Sequence, residues 1–408
     1  MTKLIFVNRF FYPDHSATSQ LLTDLACHLA KTRTSVYVVT SRQVYNDPRR
    51  TLPCKDSMEG VTVIRVWTTR FGRRTLAGRG LDYVTFYLSS LWNLFFVLRH
   101  GDVVVAKTDP PLVSVIAAVV TSIRRAKLIN WIQDLFPEVA GALRVGGMGS
   151  FQGLLRAMRN WSLETAHMNV VIGDGMAERL VAEGIKQNAI QVIHNWSDGT
   201  AIRPVDHKKN PLREEWNLQE AFVVGYSGNI GRAHEFGTIL DAADMLKSVE
   251  KIVFLFIGDG AQRDSIMEAV QSRGLKNVVF RPYQSRSHLT FSLCVPDVHL
   301  ISLKPALEGL IVPSKFYGIA AAGRPVIFIG GQDGEISRIL RKTGSGYTVS
   351  VGDFTGLANQ ILEMLHHPQE TMMMGARARG ALDQHFDQKH AFAAWERLLQ
   401  YTNCDERD

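Results

Sequence analysis

The sequence predicts an α/β protein made of two doubly wound domains. Short apolar, β-branched runs alternate with longer helical patterns through most of the 408 residues, and this alternation is typical of parallel sheets with crossover helices. The length also exceeds what a single hydrophobic core usually supports. With 46% hydrophobic and 21% charged residues, the composition is that of an ordinary globular protein.

The first domain is predicted to span residues 1–202. Its expected strands are Leu4 to Asn8, Ser35 to Thr40, Val61 to Trp67, Asp102 to Ala106, Lys127 to Ile132, Asn169 to Ile172 and Ile190 to Ile193. A charged, proline-containing stretch without strand character, residues 203–217, is expected to link the domains. In doubly wound sheets, ligands bind beyond the carboxyl ends of the strands, so we expect the functional residues in the loops that follow strands.

The second domain is predicted to span residues 218–387. Its expected strands are Phe222 to Tyr226, Ile252 to Ile257, Val278 to Arg281, Val298 to Ser302, Pro325 to Ile329 and Gly346 to Val351. A final helix, Lys389 to Gln400, carries Phe392, Trp395, Leu398 and Leu399 at amphipathic spacing. We assign residues 388–408, which include this helix, to the first domain.

Charge and cysteine usage narrow the class of protein. A net charge of +7 favours an anionic partner, but basic residues are dispersed and no nucleic-acid-binding motif is present, so we expect no nucleic acid. The four cysteines, Cys27, Cys54, Cys294 and Cys404, form no Cys-x-x-Cys pair and indicate ordinary reduced thiols. The N-terminus has no signal-peptide pattern, so the protein is expected in the cytoplasm.

One segment, residues 70–98, permits two interpretations. The apolar run from Val84 to Leu98 is too short to span a bilayer, and Arg70, Phe71, Arg73, Arg74 and Arg79 precede it. Basic and aromatic residues together are typical of contact with an anionic membrane surface. A core-facing helix preceded by a solvated basic loop explains the same residues equally well.

The first loop with binding potential follows the strand that ends at Tyr226. It reads SGNIGR and contains Gly228, Asn229 and Arg232, with a helix expected from about His234. Glycines let a backbone approach a phosphate at a helix N-terminus, and arginine can bind phosphate through two parallel hydrogen bonds. A tight turn that merely requires glycine is the alternative.

A second stretch of this kind lies at residues 304–315, between a strand and an Ala-rich helix. Glu308 is predicted to accept hydrogen bonds from sugar hydroxyls, and Lys315 with the helix dipole to neutralise phosphate charge. The amide-rich loop between them is expected to contribute further binding residues, namely Gly309, Leu310, Ile311, Val312 and Ser314. Alternatively, Glu308 is a helix-capping or surface carboxylate and Lys315 is solvated.

These motifs, in order, resemble glycosyltransferase family 4, near the bacterial subgroup that builds O-antigen, capsule and exopolysaccharide. The resemblance covers nearly the whole chain through KLIFVNRFFYPDHSATSQLLTDLACHLA, KTDPPLVSV, LINWIQDLFPEVA, VIHNWSD, YSGNIGRAHEF, FLFIGDG and LEGLIVPSKFYGIAAAGRPVI. It implies a retaining GT-B enzyme: two Rossmann-like domains face a central cleft, the second binds the nucleotide sugar, the first receives the acceptor, and the last helix crosses back to the first.

The resemblance also implies residue roles in the second domain. Arg232 and Lys315 would bind the donor diphosphate, and Glu308 matches the first glutamate of the family's paired-glutamate motif. Gly318 stands where the second glutamate is expected, which removes a usual contact to the nucleotide ribose. Asn229 occupies the position at which many members carry their first phosphate-binding arginine.

In the first domain the resemblance points to the loop after the fifth strand. The family often has His-Asp there, and this chain has Gln133 and Asp134. Asp134 would orient an acceptor hydroxyl or polarise the reacting centre, with Glu138 as a second candidate. The donor's own phosphate oxygen is thought to take the acceptor proton, so no protein nucleophile is implied.

The loop at residues 14–18 is a further candidate in the first domain. It leads into a helix expected to begin near Ser19, whose N-terminus would face the donor phosphates, with Ser16 and Thr18 in the cleft. A capping role for Thr18 is the alternative.

We expect neither a metal nor a cofactor. No two aspartates have the Asp-x-Asp spacing that other glycosyltransferases use to hold a divalent ion, so cationic side chains are expected to neutralise the leaving nucleotide. The histidines, including His194 and His234, form no ligand cluster and are interpreted as polar or packing residues.

The resulting prediction is a hexosyl- or N-acetylhexosaminyl-transferase. The expected donor is a UDP-sugar, and the expected acceptor is a lipid-linked or growing polysaccharide, with peripheral contact to the cytoplasmic membrane face. Two alternatives stay open at this point: a sugar-nucleotide 2-epimerase of similar fold, and a non-catalytic sugar-nucleotide binder.

Overall fold

The chain folds into two compact α/β units. The computed structural model describes residues 2–14, 16–32, 35–44, 47–72, 75–144 and 151–404. The first unit comprises Met1–His194 and Phe392–Asp408, and the second comprises Asn195–Ala391. Each unit contains a doubly wound sheet, as predicted, but the division falls at residue 194 instead of residue 202.

The first unit is built around an eight-stranded sheet of order β10-β9-β8-β7-β1-β2-β6-β5. Its neighbouring strands are parallel, except that β5 pairs antiparallel with β6. A separate antiparallel pair is formed by β3 and β4. The strands are β1 Leu4–Val7, β2 Val36–Ser41, β3 Gln43–Val44, β4 Asp47–Thr51, β5 Lys55–Met58, β6 Val61–Val66, β7 Val103–Lys107, β8 Lys127–Ile132, β9 Met168–Val171 and β10 Ile190–Val192.

The helices of the first unit cover both faces of this sheet. They are α1 Ala17–Thr32, α2 Leu76–Val97, α3 Val113–Arg124, α4 Glu138–Ala142, α5 Phe151–Thr165 and α6 Asp174–Ala182. The crossovers from β6 through β10 all run in one direction along the sheet. Because such crossovers are right-handed, α2, α3, α5 and α6 share one face, and α1 lies on the other.

The second unit contains a six-stranded parallel sheet of order β13-β12-β11-β14-β15-β16. Its strands are β11 Phe222–Ser227, β12 Ile252–Ile257, β13 Val278–Arg281, β14 Val298–Ser302, β15 Val326–Ile329 and β16 Gly346–Val349. The helices are α7 Pro211–Glu215, α8 Gly237–Met245, α9 Arg263–Ser272, α10 Leu289–Leu293, α11 Lys315–Ala321, α12 Glu335–Thr343, α13 Phe354–His366 and α14 Pro368–Ala381, followed by α15 Gln388–Cys404, which ends in the first unit.

The central strands are buried along their length because helices cover both faces. All residues of β7 and β14 are buried, which is the pattern expected of parallel strands inside an α/β unit. In the second unit one core cluster includes Phe254, Phe256 and Leu300. These cores fix where each strand ends, and thereby where the loops that follow are placed.

Residues 203–217, predicted as a linker, belong to the second unit. They contain α7, and the buried guanidinium of Arg213 donates to the carbonyl of Val295 at 2.9 Å and to Oδ2 of Asp297 at 2.6 Å. Burial raises the pKa of Asp297, while Arg213 opposes that rise. One charge of the predicted linker, that of Arg213, therefore belongs to a largely buried ion pair.

The structure also corrects several element boundaries. The short strands β3, β4 and β5 were not predicted, because their polar residues lack an apolar pattern; β5 is an exposed edge strand. Helix α2 begins eight residues before the predicted Val84, with Thr75 as N-cap accepting from the amide of Gly78. No helix in the described part of the chain is long and apolar enough to span a bilayer.

The end of α15 packs in the first unit. Trp395 is fully buried and meets Trp131 at a centroid distance of 5.0 Å. Phe392 stacks on His28 at 4.4 Å, and Nε2 of His28 lies 3.0 Å from Oε1 of Glu396. The predicted amphipathic residues thus face the N-terminal core.

Candidate functional site

Glycine shapes the loop after β11. Gly228 has a φ of 117°, and a Cβ on it would lie 2.9 Å from Cε of Lys315. A Cβ on Gly258, after β12, would lie 2.1 Å from the carbonyl oxygen of Gly228. The two loops therefore touch backbone to backbone, which only glycine permits. Helix α8 begins at Gly237, three residues later than the expected start at His234.

Lys315 lies across this loop. Its Nζ donates to the carbonyl of Asn229 at 3.1 Å and to the hydroxyl of Tyr226, and it lies 3.9 Å from the centroid of the Tyr226 ring. Burial lowers the pKa of Lys315 well below its usual value. No ion pair between described residues involves Lys315, and the groups that contact its Nζ are neutral.

His234 completes the surroundings of Lys315. Its Nδ1 lies 2.5 Å from the carbonyl oxygen of Ser302, and its Nε2 lies 3.2 Å from Nζ of Lys315. Because a carbonyl can only accept, Nδ1 carries the proton and Nε2 accepts from lysine. Burial, with Lys315 adding to it, lowers the pKa of His234 to about 3. The sequence interpretation of His234 as a polar or packing residue did not identify this contact.

Arg232 and Asn229 have exposed side chains. No carboxylate of the described residues pairs with Arg232, which leaves its guanidinium available to a ligand. The carbonyl of Asn229, rather than its side chain, contacts Lys315 and also accepts from the Tyr226 hydroxyl at 2.9 Å.

Glu308 rests against a glycine loop after β15. Its Oε1 accepts from the amide of Gly331 at 3.1 Å, and a Cβ on Gly334 would lie 2.3 Å from Oε2. Burial raises the pKa of Glu308 to about 7, the Gly331 hydrogen bond opposes this, and Glu335 adds to it. The carboxyl group is therefore held by the loop before α12, and it caps no helix.

Glu335 is a carboxylate that sequence analysis missed. It is buried at the first position of α12, close enough to raise the pKa values of both Glu308 and Tyr317. Its only signal in the sequence is the glycine-rich GGQDGE that follows an apolar strand. Gly318, where the resemblance expects a glutamate, lies on α11, and a Cβ there would be 3.4 Å from Leu293.

The loop between Glu308 and Lys315 is tightly folded. Gly309 has a φ of 71°. The amides of Leu310 and Ile311 both donate to the carbonyl of Leu307, at 3.0 and 3.3 Å, so these two predicted donors are already paired. The side chains of Leu310 and Val312 are buried, and the hydroxyl of Ser314 does not cap α11. The loop therefore contributes mainly its shape to the candidate site, because the amides of Leu310 and Ile311 already donate within the loop.

In the first unit, three ionisable groups meet where β7 and β8 end. The fully buried Lys107 donates from Nζ to the carbonyl of Thr18 at 2.8 Å and lies 3.6 Å from the centroid of the Trp131 ring. Burial lowers its pKa well below the usual value, and Asp109 and Asp134 oppose that change. Sequence analysis did not select Lys107 or Asp109.

Asp134 reaches solvent at this edge of the sheet. Desolvation of its carboxylate by the surrounding protein nevertheless raises the pKa of Asp134 to about 6. Asp109 adds to the rise, and Lys107 opposes it. A cavity of about 30 Å³ beside Asp134 is lined by Lys107, Thr108, Asn130 and Arg159, among others. It is large enough for one water molecule.

The predicted helix after residue 14 begins at Ala17, before the expected Ser19. Thr18 therefore lies in the first turn and is not the N-cap. Its carbonyl holds Lys107, while the amide of Ser16 donates to Oδ1 of Asp14 at 2.8 Å. His15, which lies between Asp14 and Ser16 in the sequence, is outside the described residues.

Glu138, the second candidate for the acceptor site, forms ion pairs with two arginines. Its Oε1 lies 2.8 Å from Nε of Arg156 and 2.9 Å from Nη2 of Arg159. Arg159 also pairs with Glu183 at 2.5 Å. Because Glu138 and Arg159 are both buried, this network ties α4 to α5 and leaves Asp134 as the accessible carboxylate.

Two family models match the chain. Residues 18–196 match the one described as a glycosyl transferase 4-like domain, and residues 208–381 match the one described as glycosyl transferases group 1.

Similar proteins come from several bacteria. A protein of Pseudomonas aeruginosa, WbjE, provisionally named a glycosyltransferase, is 29% identical over 78% of this chain and 79% of its own length. WcaI of Escherichia coli K12, provisionally named a colanic acid biosynthesis glycosyl transferase, is 29% identical over 48% of this chain and 50% of its own length.

A similar solved structure is that of Anabaena HepE in complex with UDP-glucose. It has a TM-score of 0.74 and 15% identity, and the match covers 98% of this chain and 100% of the other. At this identity the likeness concerns the fold, which is that of the GT-B glycosyltransferases, as predicted.

Proposed function

Since this chain belongs to the group 1 glycosyltransferases, we propose that it transfers a sugar from a nucleoside diphosphate donor to a glycan acceptor, with retention of configuration. The donor we propose is a UDP-sugar carrying a hexose or N-acetylhexosamine. The acceptor we propose is a lipid-linked or growing polysaccharide in bacterial cell-surface glycan synthesis. We propose that the reaction takes place on the cytoplasmic side of the membrane and uses no metal or cofactor.

The observation that supports the donor site is the partly buried ammonium of Lys315. A cation removed from water is costly unless an anion compensates it, and here the described neighbours are a carbonyl, a hydroxyl, a ring face and an imidazole nitrogen. A diphosphate would provide the missing negative charge. The exposed Arg232 lies on the adjacent loop and would bind the same group bidentately.

Glu308 would hold the transferred sugar. Its carboxyl group accepts from Gly331 through Oε1, and Oε2 can accept from a sugar hydroxyl. In the retaining reaction that we propose, a donor phosphate oxygen takes the proton from the acceptor hydroxyl as the new glycosidic bond forms and the bond to the diphosphate breaks. The protein then supplies positioning and charge, not a nucleophile.

Asp134 would orient the acceptor hydroxyl. It is the accessible carboxylate at the end of β8, whereas Glu138 is paired with two arginines. The backbone around Ser16 and Thr18, which Lys107 fixes through the Thr18 carbonyl, would form an adjoining wall of the acceptor site.

The choice of donor and acceptor draws on relatives. HepE structures contain UDP or UDP-glucose, which supports a UDP-sugar. The name of WcaI refers to colanic acid biosynthesis, which supports a polysaccharide product.

The first experiment is a thermal-shift screen against UDP, GDP, ADP, dTDP and CMP with EDTA present throughout. A ligand that binds only the folded protein at a hundredfold excess over its Kd adds about 2.7 kcal/mol of stability. We expect UDP to raise the melting temperature in EDTA. A shift that appears only when a divalent metal replaces EDTA would contradict metal independence, and no shift with any nucleotide would contradict the donor site.

Lys315→Met tests whether the rise in melting temperature caused by UDP depends on the ammonium group of Lys315. The variant is expected to lose the UDP shift, whereas Lys276→Met, which removes an exposed lysine of the same unit, should keep it. Product analysis with UDP-sugars, with and without a glycan acceptor, then separates transfer from the alternatives. Epimerised nucleotide sugar without acceptor would indicate an isomerase.

A further inference from the structure

Helix α2 is apolar on two opposite faces. One face packs into the core through Phe86, Leu94 and the following Leu98. The other carries an exposed stripe along the whole helix, defined here as Leu81, Val84, Leu88, Trp92 and Phe96, each between 50% and 65% exposed. The spacing of three and four residues places these side chains on one side of the helix. The inner face agrees with the interpretation of this segment as a core-facing helix, whereas membrane contact by the exposed face stays a prediction.

The loop before α2 also exposes aromatic side chains. Trp67 and Phe71 are both exposed, and a buried carboxylate holds the loop against α2. Oδ1 of Asp82 accepts from the Thr69 hydroxyl at 2.8 Å and from the amide of Phe71 at 3.0 Å, and Oδ2 accepts from the amide of Gly72. The aromatic side chains are thus presented by an anchored loop.

The exposed charged residues of α2 and of its flanking segments are basic. Asp82 is the only acidic residue between Trp67 and Arg99 in the sequence, and it is buried. Arg70 is exposed in the loop before α2, and Arg99 and Arg125 are exposed near its other end. Arg124 lies there too, with its guanidinium 5.4 Å from the Phe95 ring. Arg73 and Arg74 lie outside the described residues.

We propose that the stripe of α2, together with the loop 67–72, binds the surface of an anionic lipid bilayer. The helix would lie in the plane of the interface, with aromatic and aliphatic side chains among the acyl chains and arginines at the phosphates. Continuous apolar exposure of this length is unusual for a free protein surface. The cationic ends favour lipid phosphates over a second copy of the same cationic face, which would repel it.

This inference goes beyond the proposed transfer reaction, because it depends only on the surface of the first unit. The inference can therefore be right or wrong independently of which donor the protein uses.

The test is sedimentation of the full-length protein with vesicles, either of phosphatidylcholine alone or of equal parts phosphatidylcholine and phosphatidylglycerol. We expect binding to the mixed vesicles that weakens as salt is raised, and at least about tenfold weaker binding to phosphatidylcholine alone. Trp92→Gln/Phe96→Gln should reduce binding to mixed vesicles by at least about tenfold. The matched control, Met372→Gln/Met373→Gln, removes two exposed apolar side chains of the second unit and should bind like the wild type.

A second measurement needs no variant. Tryptophan fluorescence of the wild-type protein should be quenched by brominated lipids in mixed vesicles, because Trp67 and Trp92 would enter the acyl region. Wild-type protein that fails to sediment with mixed vesicles would overturn the proposal. So would a concentration-dependent dimer, seen by light scattering, that Trp92→Gln/Phe96→Gln converts to monomer without any vesicle binding, because the stripe would then be an interface between copies.

Discussion

Each unit contains a lysine with nearly the same local contacts, fully buried in the first unit and partly buried in the second. Lys107 in the first unit and Lys315 in the second each donate to one backbone carbonyl and lie less than 4 Å from the centroid of an aromatic ring, at 3.6 Å and 3.9 Å. Burial lowers the pKa of both. Their acidic neighbours differ: Asp109 and Asp134 act on Lys107, whereas burial alone accounts for the pKa of Lys315.

In the function that we propose, this difference separates a structural cation from a binding cation. Around Lys107 the protein supplies the compensating charge itself. Around Lys315 the described residues supply none. The pKa of Glu308, an acid of the same unit, is raised by burial and further by Glu335. A cation and an acid kept apart in one unit are suited to binding two parts of one ligand, such as a diphosphate and a sugar.

The largest expected effect concerns the acid of the second unit. Glu308→Gln keeps the shape of the side chain but removes its charge, and turnover should fall about a hundredfold to a thousandfold. The UDP-induced thermal shift should persist, because Lys315 is unchanged. Steady-state kinetics checks the first expectation, and Glu268→Gln, an exposed carboxylate of the same unit, is the control. Unchanged turnover would remove Glu308 from the site.

Sequence patterns located the second unit's site better than the first unit's. Glu308 and Lys315 stand in one continuous motif, so their proximity in sequence predicted their shared loop. Lys107 and its neighbours come from separate strands and from α1, and only the folded sheet brings them together.

The same reason explains where the predictions of structure were right and wrong. The strand Lys127–Ile132 was predicted to the residue because an apolar run marks both its ends. The strand Lys55–Met58 has no such run and pairs only at an exposed edge. Glu138 was selected as a second candidate from its position near Asp134. Its pairing could not be foreseen, because its arginine partners lie in a helix further along the chain.

The second prediction tests the comparison of the two lysines directly. Lys107→Met leaves Asp109 and Asp134 without their cation and should lower the free energy of unfolding by about 2 kcal/mol. Lys315→Met leaves no acid behind, so the change should stay within about 1 kcal/mol and can be stabilising. Urea unfolding of both variants measures this. Equal losses of stability would mean that the two lysines play the same structural role.

The third prediction uses the raised pKa of Glu308. Between the ordinary value of 4.5 and about 7, the folded state keeps this carboxyl protonated while the unfolded state ionises it. The folded state therefore binds more protons, and the contribution of Glu308 to stability falls as pH rises through that window. Thermal melts just below and just above it should show wild type losing stability relative to Glu308→Gln. A constant difference across the window would show that the pKa of Glu308 is not raised.

The smallest expected effect concerns Arg232, the exposed cation of the loop that Lys315 contacts. Arg232 is solvated and unpaired among the described residues, so its attraction for a diphosphate is screened by water. Arg232→Gln should raise the donor KM by about threefold to tenfold, leave kcat nearly unchanged, and have less effect as salt increases. Lys276→Met should change neither parameter. Arg232→Gln could instead abolish the UDP shift as completely as Lys315→Met. In that case the partial burial of Lys315 does not set it apart from Arg232 in binding the donor, and the comparison of Lys107 with Lys315 says nothing about function.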